Sequence, residues 1–272
     1  MSYYRALGLE REPFSTSPDP EFLYHSSSHD TVLKRLEISI RLRRGLSVIL
    51  GDVGTGKTTI SRALLQAFKD EDDYIFHMIL DPGHKSEFQF LLSLVKMFGI
   101  TPQFKSTLDF NEALEKYLFQ KGVEENKTIV LLIDESQKII PENLEVLRTL
   151  LNYETNEFKL LQLVIMGQME LLPKIIRIHN FMDRIALKYI INPLDEAETK
   201  NMIDFRMARA GFRRENSLFT DKAVKLIYEH TQGYPRRIAL LCHDCLETVI
   251  MNDYAMVNAD VVNSLISQES MV

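Results

Sequence analysis

No window of this 272-residue chain approaches the ~18 consecutive apolar residues that a membrane-spanning helix needs. The opening Met1-Ser2-Tyr3-Tyr4-Arg5 lacks the charged-then-apolar plan of a signal peptide. A soluble, cytoplasmic chain is the expectation. Positive charge is also in short supply: the formal net charge is −6, so no whole-molecule field draws the protein onto nucleic acid or an acidic membrane. Only a local basic patch could do so. Cysteine is nearly absent, and the two present, Cys242 and Cys245, stand three apart on an expected helix. They share a face but are poorly placed to bond to each other, and no second cysteine pair exists to complete a zinc site. Core packing is the reading for both. Repeats and low-complexity tracts are missing too.

What the chain does have is Gly51-Asp52-Val53-Gly54-Thr55-Gly56-Lys57-Thr58, a complete G-x-x-x-x-G-K-T phosphate loop. It implies binding of a nucleoside triphosphate. Glycines at 51, 54 and 56 remove Cβ clashes, so successive N–H groups can turn toward phosphate oxygens at a helix N-terminus. Lys57 is expected to reach the β- and γ-phosphates and the Thr58 hydroxyl to hold Mg²⁺, with Thr59 next in the helix. The context fits: Leu46 to Leu50 reads as a strand, and Ile60, Ala63, Leu64 and Ala67 recur at helical spacing. No guanine-reading Asn-Lys-x-Asp element is apparent.

About 80 residues further on, Thr128 to Ile133 forms a continuous apolar run that ends in Asp134-Glu135, the pattern of a parallel strand buried on both faces. Asp134 fits a Mg²⁺-organising carboxylate, and Glu135 fits the base that accepts a proton from an attacking water. Around these lie expected strands at Tyr74 to Leu80, Leu160 to Met166 (followed by Gly167-Gln168) and Ile185 to Ile191 (preceded by Arg184). Expected helices cover Ser86 to Phe98, 109 to 123 and Pro141 to Asn152. From Pro193 the pattern is helical throughout: 196 to 210, 220 to 231, 235 to 251 and 258 to 267. The first 25 residues, punctuated by Pro13, Pro18 and Pro20, read as an arm packed on a surface. A helix starting near Ser27 ends with Arg41, Arg43 and Arg44, which complement its dipole or offer a small basic contact.

Taken together these residues resemble an AAA+ ATPase. More narrowly, Leu7 to Phe14, Ser17 to Tyr24, Gly51 to Thr58, Leu132 to Gln137, Leu150 to Thr155 and Val164 to Leu171 resemble the ExeA/GspA-type secretion ATPase family. The resemblance implies an α/β fold with a five-stranded parallel sheet of order 5-1-4-3-2, flanked by helices and followed by a small all-α lid. Residues 1–192 are then the nucleotide-binding domain with its N-terminal arm, and 193–272 the lid. It implies ATP and Mg²⁺ as ligands and hydrolysis to ADP and phosphate. Gln168 takes the position of a sensor of the γ-phosphate, Arg184 that of an arginine finger acting in trans, and Arg236 that of a lid sensor, with Arg237 as the competing assignment.

A trans-acting arginine makes turnover depend on assembly, so a ring or filament of identical subunits is expected. The partner implied is a secretion or pilus component, with attachment to the inner membrane only through that partner. Many members of the group continue into a membrane-spanning segment and a peptidoglycan-binding domain, whereas this chain stops at Val272. The alternative reading is a DNA-bound, ATP-dependent transposition regulator of the TnsC or TniB type, which keeps DNA among the candidate partners.

Overall fold

The computed structural model describes residues 3–17, 19–101, 106–213 and 217–269. Pro18, one of the prolines that punctuate the arm, lies outside them. The chain divides into two compact units, one of residues 29–52 and 60–191, the other of the first 28 residues, Val53–Thr59 and the chain from Asn192 onward.

The first unit is built on strands β1 (Leu46–Gly51), β2 (Tyr74–Ile79), β3 (Thr128–Ile133), β4 (Leu161–Gly167) and β5 (Ile185–Ile191). All pair in parallel in the order β2-β3-β4-β1-β5, which is the expected 5-1-4-3-2 read from the other edge. The three central strands β1, β3 and β4 are buried at every position, whereas β5 alternates between half-buried and exposed until its last residue. Near-continuous apolar runs in the first group and alternation in β5 follow from helices covering both faces at the centre only.

Helices α2 (Ser27–Arg41), α3 (Lys57–Ala67), α4 (Glu87–Met97), α5 (Thr107–Phe119), α6 (Pro141–Leu150) and α7 (Leu171–Ile176) connect the strands; a four-residue helix α1 (Tyr3–Ala6) opens the chain. Their starts have local causes. Ser86 accepts the Gln89 N–H at the head of α4, Ser106 and Asp109 form a capping box on α5, and Pro141 supplies the first residue of α6. The helix expected over 109 to 123 stops at Phe119, and Gln120–Glu124 form a π-helical turn instead. Gly122 sits in that turn where a Cβ would come within 2.9 Å of the Leu160 side chain. The missing side chain at 122 is what lets Leu160 approach so closely.

Two of the three arginines at the end of α2, Arg41 and Arg43, are already engaged. Arg41 holds Glu71 through two bonds of 2.8 and 2.6 Å and lies over the Phe68 ring. Arg43 donates to Thr128 Oγ1 and the Asn126 carbonyl and lies over Phe158.

The second unit contains helices α8 (Glu196–Arg209), α9 (Asp221–Thr231), α10 (Pro235–Met251) and α11 (Ala259–Glu269). The N-terminal arm, read from sequence as part of the nucleotide-binding domain, belongs to this unit. Its Leu9, Phe14 and Phe22 share a core with Met202, Ile203, Phe219, Ile227 and Leu246, and Phe14 meets Phe219 edge-on at 5.9 Å. Arg206 and Arg209 on α8 donate to the Ser15 and Glu21 carbonyls, both at 3.2 Å. The arm is therefore bound both by apolar burial and by backbone hydrogen bonds. Cys242 and Cys245 are free thiols buried in the same core, where desolvation pushes Cys245 up to about 12.

On edge strand β2, His77 stacks on Phe98 with ring centres 4.4 Å apart and has its Nε2 3.4 Å from the Tyr117 hydroxyl. Burial pushes its pKa down to about 4. Because an unfolded histidine titrates near ~6.5, the unfolded chain gains a proton that the folded chain refuses. His77 therefore costs nothing above about pH 6.5 and costs progressively more stability as the pH falls from there toward 4. Urea midpoints at pH 7.5 and 4.5 check this: His77→Phe is expected to lose less stability between the two than the wild type.

Candidate functional site

Parallel pairing brings the carboxyl ends of the strands to one edge of the sheet, where ligands of open α/β sheets collect. At that edge Leu50 lies beside Gly167, Gly51 beside Ile191, and Ile133 beside Ile165. The phosphate loop, the acidic pair and Gln168 thus leave neighbouring strands at the same side.

In the loop, Gly54 and Gly56 have φ of +84° and +95°, conformations that a side chain would strain. Thr55 is buried, and Lys57, the first residue of α3, is only 6% exposed. The first turn of α3 carries no acidic residue, which suits the positive end of a helix that meets an anion. A positive-φ glycine loop, a buried lysine and a first helical turn without an acidic residue together suit a triphosphate.

Asp134 continues the ladder beyond β3, its N–H donating to the Ile79 carbonyl at 2.8 Å, and it is 2% exposed. Its Oδ1 accepts the Glu135 N–H at 2.9 Å. Glu135 adopts a left-handed conformation, φ 49° and ψ 33°, which is sparsely populated for residues with a Cβ. This turn redirects the chain at the end of a buried strand, and Ser136 secures it by donating to the Ile133 carbonyl at 2.9 Å. An oxygen-rich pair in this place, one member buried and one at the turn, suits Mg²⁺ with water.

The sequence reading did not single out Gln137. Its Nε2 donates to Glu135 Oε2 at 2.6 Å, and its Oε1 accepts the Gln168 N–H at 3.1 Å. Lys174 on α7 donates to the carbonyls of Gln137 and Ile139 at 2.5 and 3.1 Å, fixing the backbone of this segment. A local pattern could not expose the contact, since it exists only once β4 lies beside β3 and the chain turns left-handed at Glu135. Gln168 itself follows β4, half-buried, and its carbonyl accepts the Leu171 N–H at 3.0 Å to close the turn into α7.

Arg184 ends a single 3₁₀ turn before β5. Its Nη1 donates to the Arg148 carbonyl at 3.0 Å and to Asn152 Oδ1, both at the carboxyl end of α6. The guanidinium is held within its own subunit's sheet unit in this structure.

In the helical unit, the Arg236 N–H donates to the Gly54 carbonyl at 3.3 Å, and a Cβ on Gly54 would meet the Arg236 Cβ at 3.0 Å. Arg237 instead places its guanidinium over the Tyr234 ring at 5.3 Å. Of the two candidate lid arginines, Arg236 is therefore the one in contact with the loop segment.

Residues 40–175 match the family described as AAA domain. The chain belongs to that family. This AAA domain chain is 34% identical over 253 residues to General secretion pathway protein A of Aeromonas hydrophila, a match that spans 90% of the chain but only 44% of that protein. Among solved structures it is similar to the Aeropyrum pernix ORC2 protein, with a TM-score of 0.65 and 16% identity over 95% of this chain and 71% of that one. Cdc6p from Pyrobaculum aerophilum gives a TM-score of 0.67 at 18% identity, covering 90% and 67% of the two chains. RuvB of Thermotoga maritima gives 0.59 at 15%, covering 88% and 68%. These structural likenesses show the fold alone, a five-stranded parallel sheet flanked by helices. No helix among the described residues is long and apolar enough to cross a membrane.

Gly233, just ahead of Arg236, has φ +73°, and a Cβ there would sit 1.9 Å from the Leu194 carbonyl oxygen. The atoms in the way are all backbone of Leu194, which cannot give as a flexible side chain would. Gly233→Ala is expected to destabilise the protein by at least ~2 kcal/mol, because a forbidden contact adds to the left-handed strain. Gly54→Ala, which meets only the Arg236 stem, is expected to cost less. Thermal melts of the two variants check the order.

Proposed function

We propose that this AAA domain chain binds ATP with Mg²⁺ and hydrolyses it to ADP and phosphate, with turnover gated by assembly of identical subunits. The observation that carries the reading is the pair Asp134 and Glu135 at the end of buried β3, on the same sheet edge from which the phosphate loop departs. A buried parallel strand ending in two carboxylates has no packing explanation.

The backbone N–H groups of Gly51 to Gly56, with Asp52, Val53 and Thr55 between the glycines, wrap the phosphates, and Lys57 adds positive charge at the β- and γ-oxygens. Thr58 and Asp134 are the oxygen donors that would hold Mg²⁺, which when bound neutralises charge on the phosphate oxygens. Thr59 continues the first turn of α3 and helps seat the loop. Glu135 accepts the proton of the attacking water. Gln168 senses the γ-phosphate from the end of β4. Arg236 contributes from the helical unit of the same chain.

Arg184 is the group we assign to the neighbour's site, which requires it to exchange its bonds to the Arg148 carbonyl and Asn152 for the neighbour's phosphate when a second subunit docks. Charge that builds on the γ-phosphate is then stabilised only when a second subunit docks, which makes assembly and hydrolysis one event. A ring or filament is the form that repeats this contact. The relation to General secretion pathway protein A supports a protein partner in a secretion pathway; we place the chain in the cytoplasm, reaching the inner membrane only through that partner. A DNA-bound role is the second reading. It is less well supported, since Arg41 and Arg43, two members of the longest basic cluster, are committed to intramolecular partners.

Glu135→Gln is expected to bind ATP normally and to turn over at least ~100-fold more slowly, the usual loss when a general base goes. Lys57→Ala is expected to lose nucleotide binding. For Arg184→Ala, affinity for ATP should persist while turnover is lost, and mixing with inactive Lys57→Ala should restore part of it. Steady-state turnover across a protein concentration series, with and without duplex DNA, reads all three. Near-normal turnover by Glu135→Gln sinks the assignment of the base; strong, salt-sensitive stimulation by DNA moves the reading to the DNA-bound alternative.

A further inference from the structure

We infer that Gln137 is a positioning residue that aims the Glu135 carboxylate and ties its direction to the end of strand β4. The inference rests on Glu135 being the base, as proposed above.

The two bonds of the Gln137 amide point to groups of opposite and fixed polarity. The Gln168 N–H is a backbone donor and can only be met by an acceptor; the Glu135 carboxylate is an acceptor and can only be met by a donor. At 3.1 Å and 2.6 Å respectively, Gln137 supplies Oε1 to the first and Nε2 to the second. Among side chains of this length, only a primary amide does both at once. A glutamate would lose the donor, and a methionine would lose both groups.

Three further features show that the place is built for the amide. Gly167 leaves the needed space, because a Cβ there would come within 3.3 Å of both Gln137 Oε1 and Gln137 N. Lys174 holds the Gln137 carbonyl at 2.5 Å, so the backbone beneath the side chain is pinned to α7. The left-handed turn at Glu135 brings residue 137 back beside residue 135, where an extended chain would separate them.

The consequence is a one-sided grip on the carboxylate. Gln137 engages Oε2, which selects the rotamer of Glu135 and leaves its other oxygen to meet a water. A base oriented by a third group is the arrangement that activates nucleophiles in many hydrolytic sites. The same amide also registers any movement of residue 168, since displacing the Gln168 N–H removes the anchor that sets the Nε2 direction. Gln168 thus influences Glu135 through its backbone, independently of whatever its own side chain touches.

Replacing the amide tests this directly. In Gln137→Glu the new side chain can still accept from Gln168 but offers Glu135 no donor, so the grip on Oε2 is lost. kcat is expected to fall about tenfold, with KM and the affinity for a fluorescent ATP analogue unchanged. Gln137→Met, of matching length and no charge, is expected to lower kcat about tenfold at constant KM. In a Glu135→Gln background the same Gln137→Met change is expected to lower the residual turnover no further, whereas a packing role would lower it as much as in the wild type. If Gln137→Met keeps wild-type kcat, or if its effect is undiminished in the Glu135→Gln background, the inference is overturned. Glu135→Gln alone separates the two levels: normal turnover there removes the base itself, whereas an inactive Glu135→Gln beside a fully active Gln137→Met removes only the positioning role.

Discussion

The structure depends on a solvation constraint. Strands β1, β3 and β4 are buried along their whole length, and a charge placed inside such a sheet costs several kcal/mol unless it is paired. Even the polar Gln162 in β4 enters only because its amide accepts the Gly45 N–H and donates to the Lys159 carbonyl, both at 2.8 Å. Chemistry is therefore expelled to the strand ends. Because every strand runs the same way, the expelled groups leave from one edge, and the strands that lead into the phosphate loop, the acidic pair and Gln168 end side by side without any of them specifying the others.

That constraint explains how much could be read in advance. Apolar runs that tolerate no alternation announce central strands, so β1, β3 and β4 were visible in the sequence to within a residue. The phosphate loop was equally plain, because its glycines answer a local backbone demand that Gly54 and Gly56 display as positive φ. The helices of the C-terminal unit were legible in their helical pattern, and the structure adds the local causes of their starts: Pro235 opens α10 at its first position, and Asp195 with Glu198 forms the box that starts α8.

What escaped depended on contacts between residues far apart in the chain or on unusual dihedrals. Nothing in residues 1–25 says that Phe14 seeks Phe219, so the core that the arm shares is not legible in its own residues. Nothing in Asp134-Glu135-Ser136-Gln137 says that a glutamate turns left-handed, yet without that turn Gln137 would never reach it. The winding change at Gln120–Glu124 has no mark in the local sequence either, although Gly122 there leaves room for Leu160 from across the fold. Local propensity sets the elements, while these details belong to whichever element happens to lie alongside.

The strand order also bears on how the protein comes into being. Leu46 in β1 finds its partners at Leu163 in β4 and Ile185 in β5, so the strand that carries the phosphate loop cannot be paired on either side until most of the sheet unit has been synthesised. Pairings of such long sequence separation form slowly, and the unpaired apolar strand is exposed to aggregation meanwhile. On the ribosome, β2 and β3 can associate first, and the nucleotide loop is completed among the last parts of that unit. A nascent chain shortened before β4 would carry an intact phosphate-loop sequence with no sheet to hold it in shape.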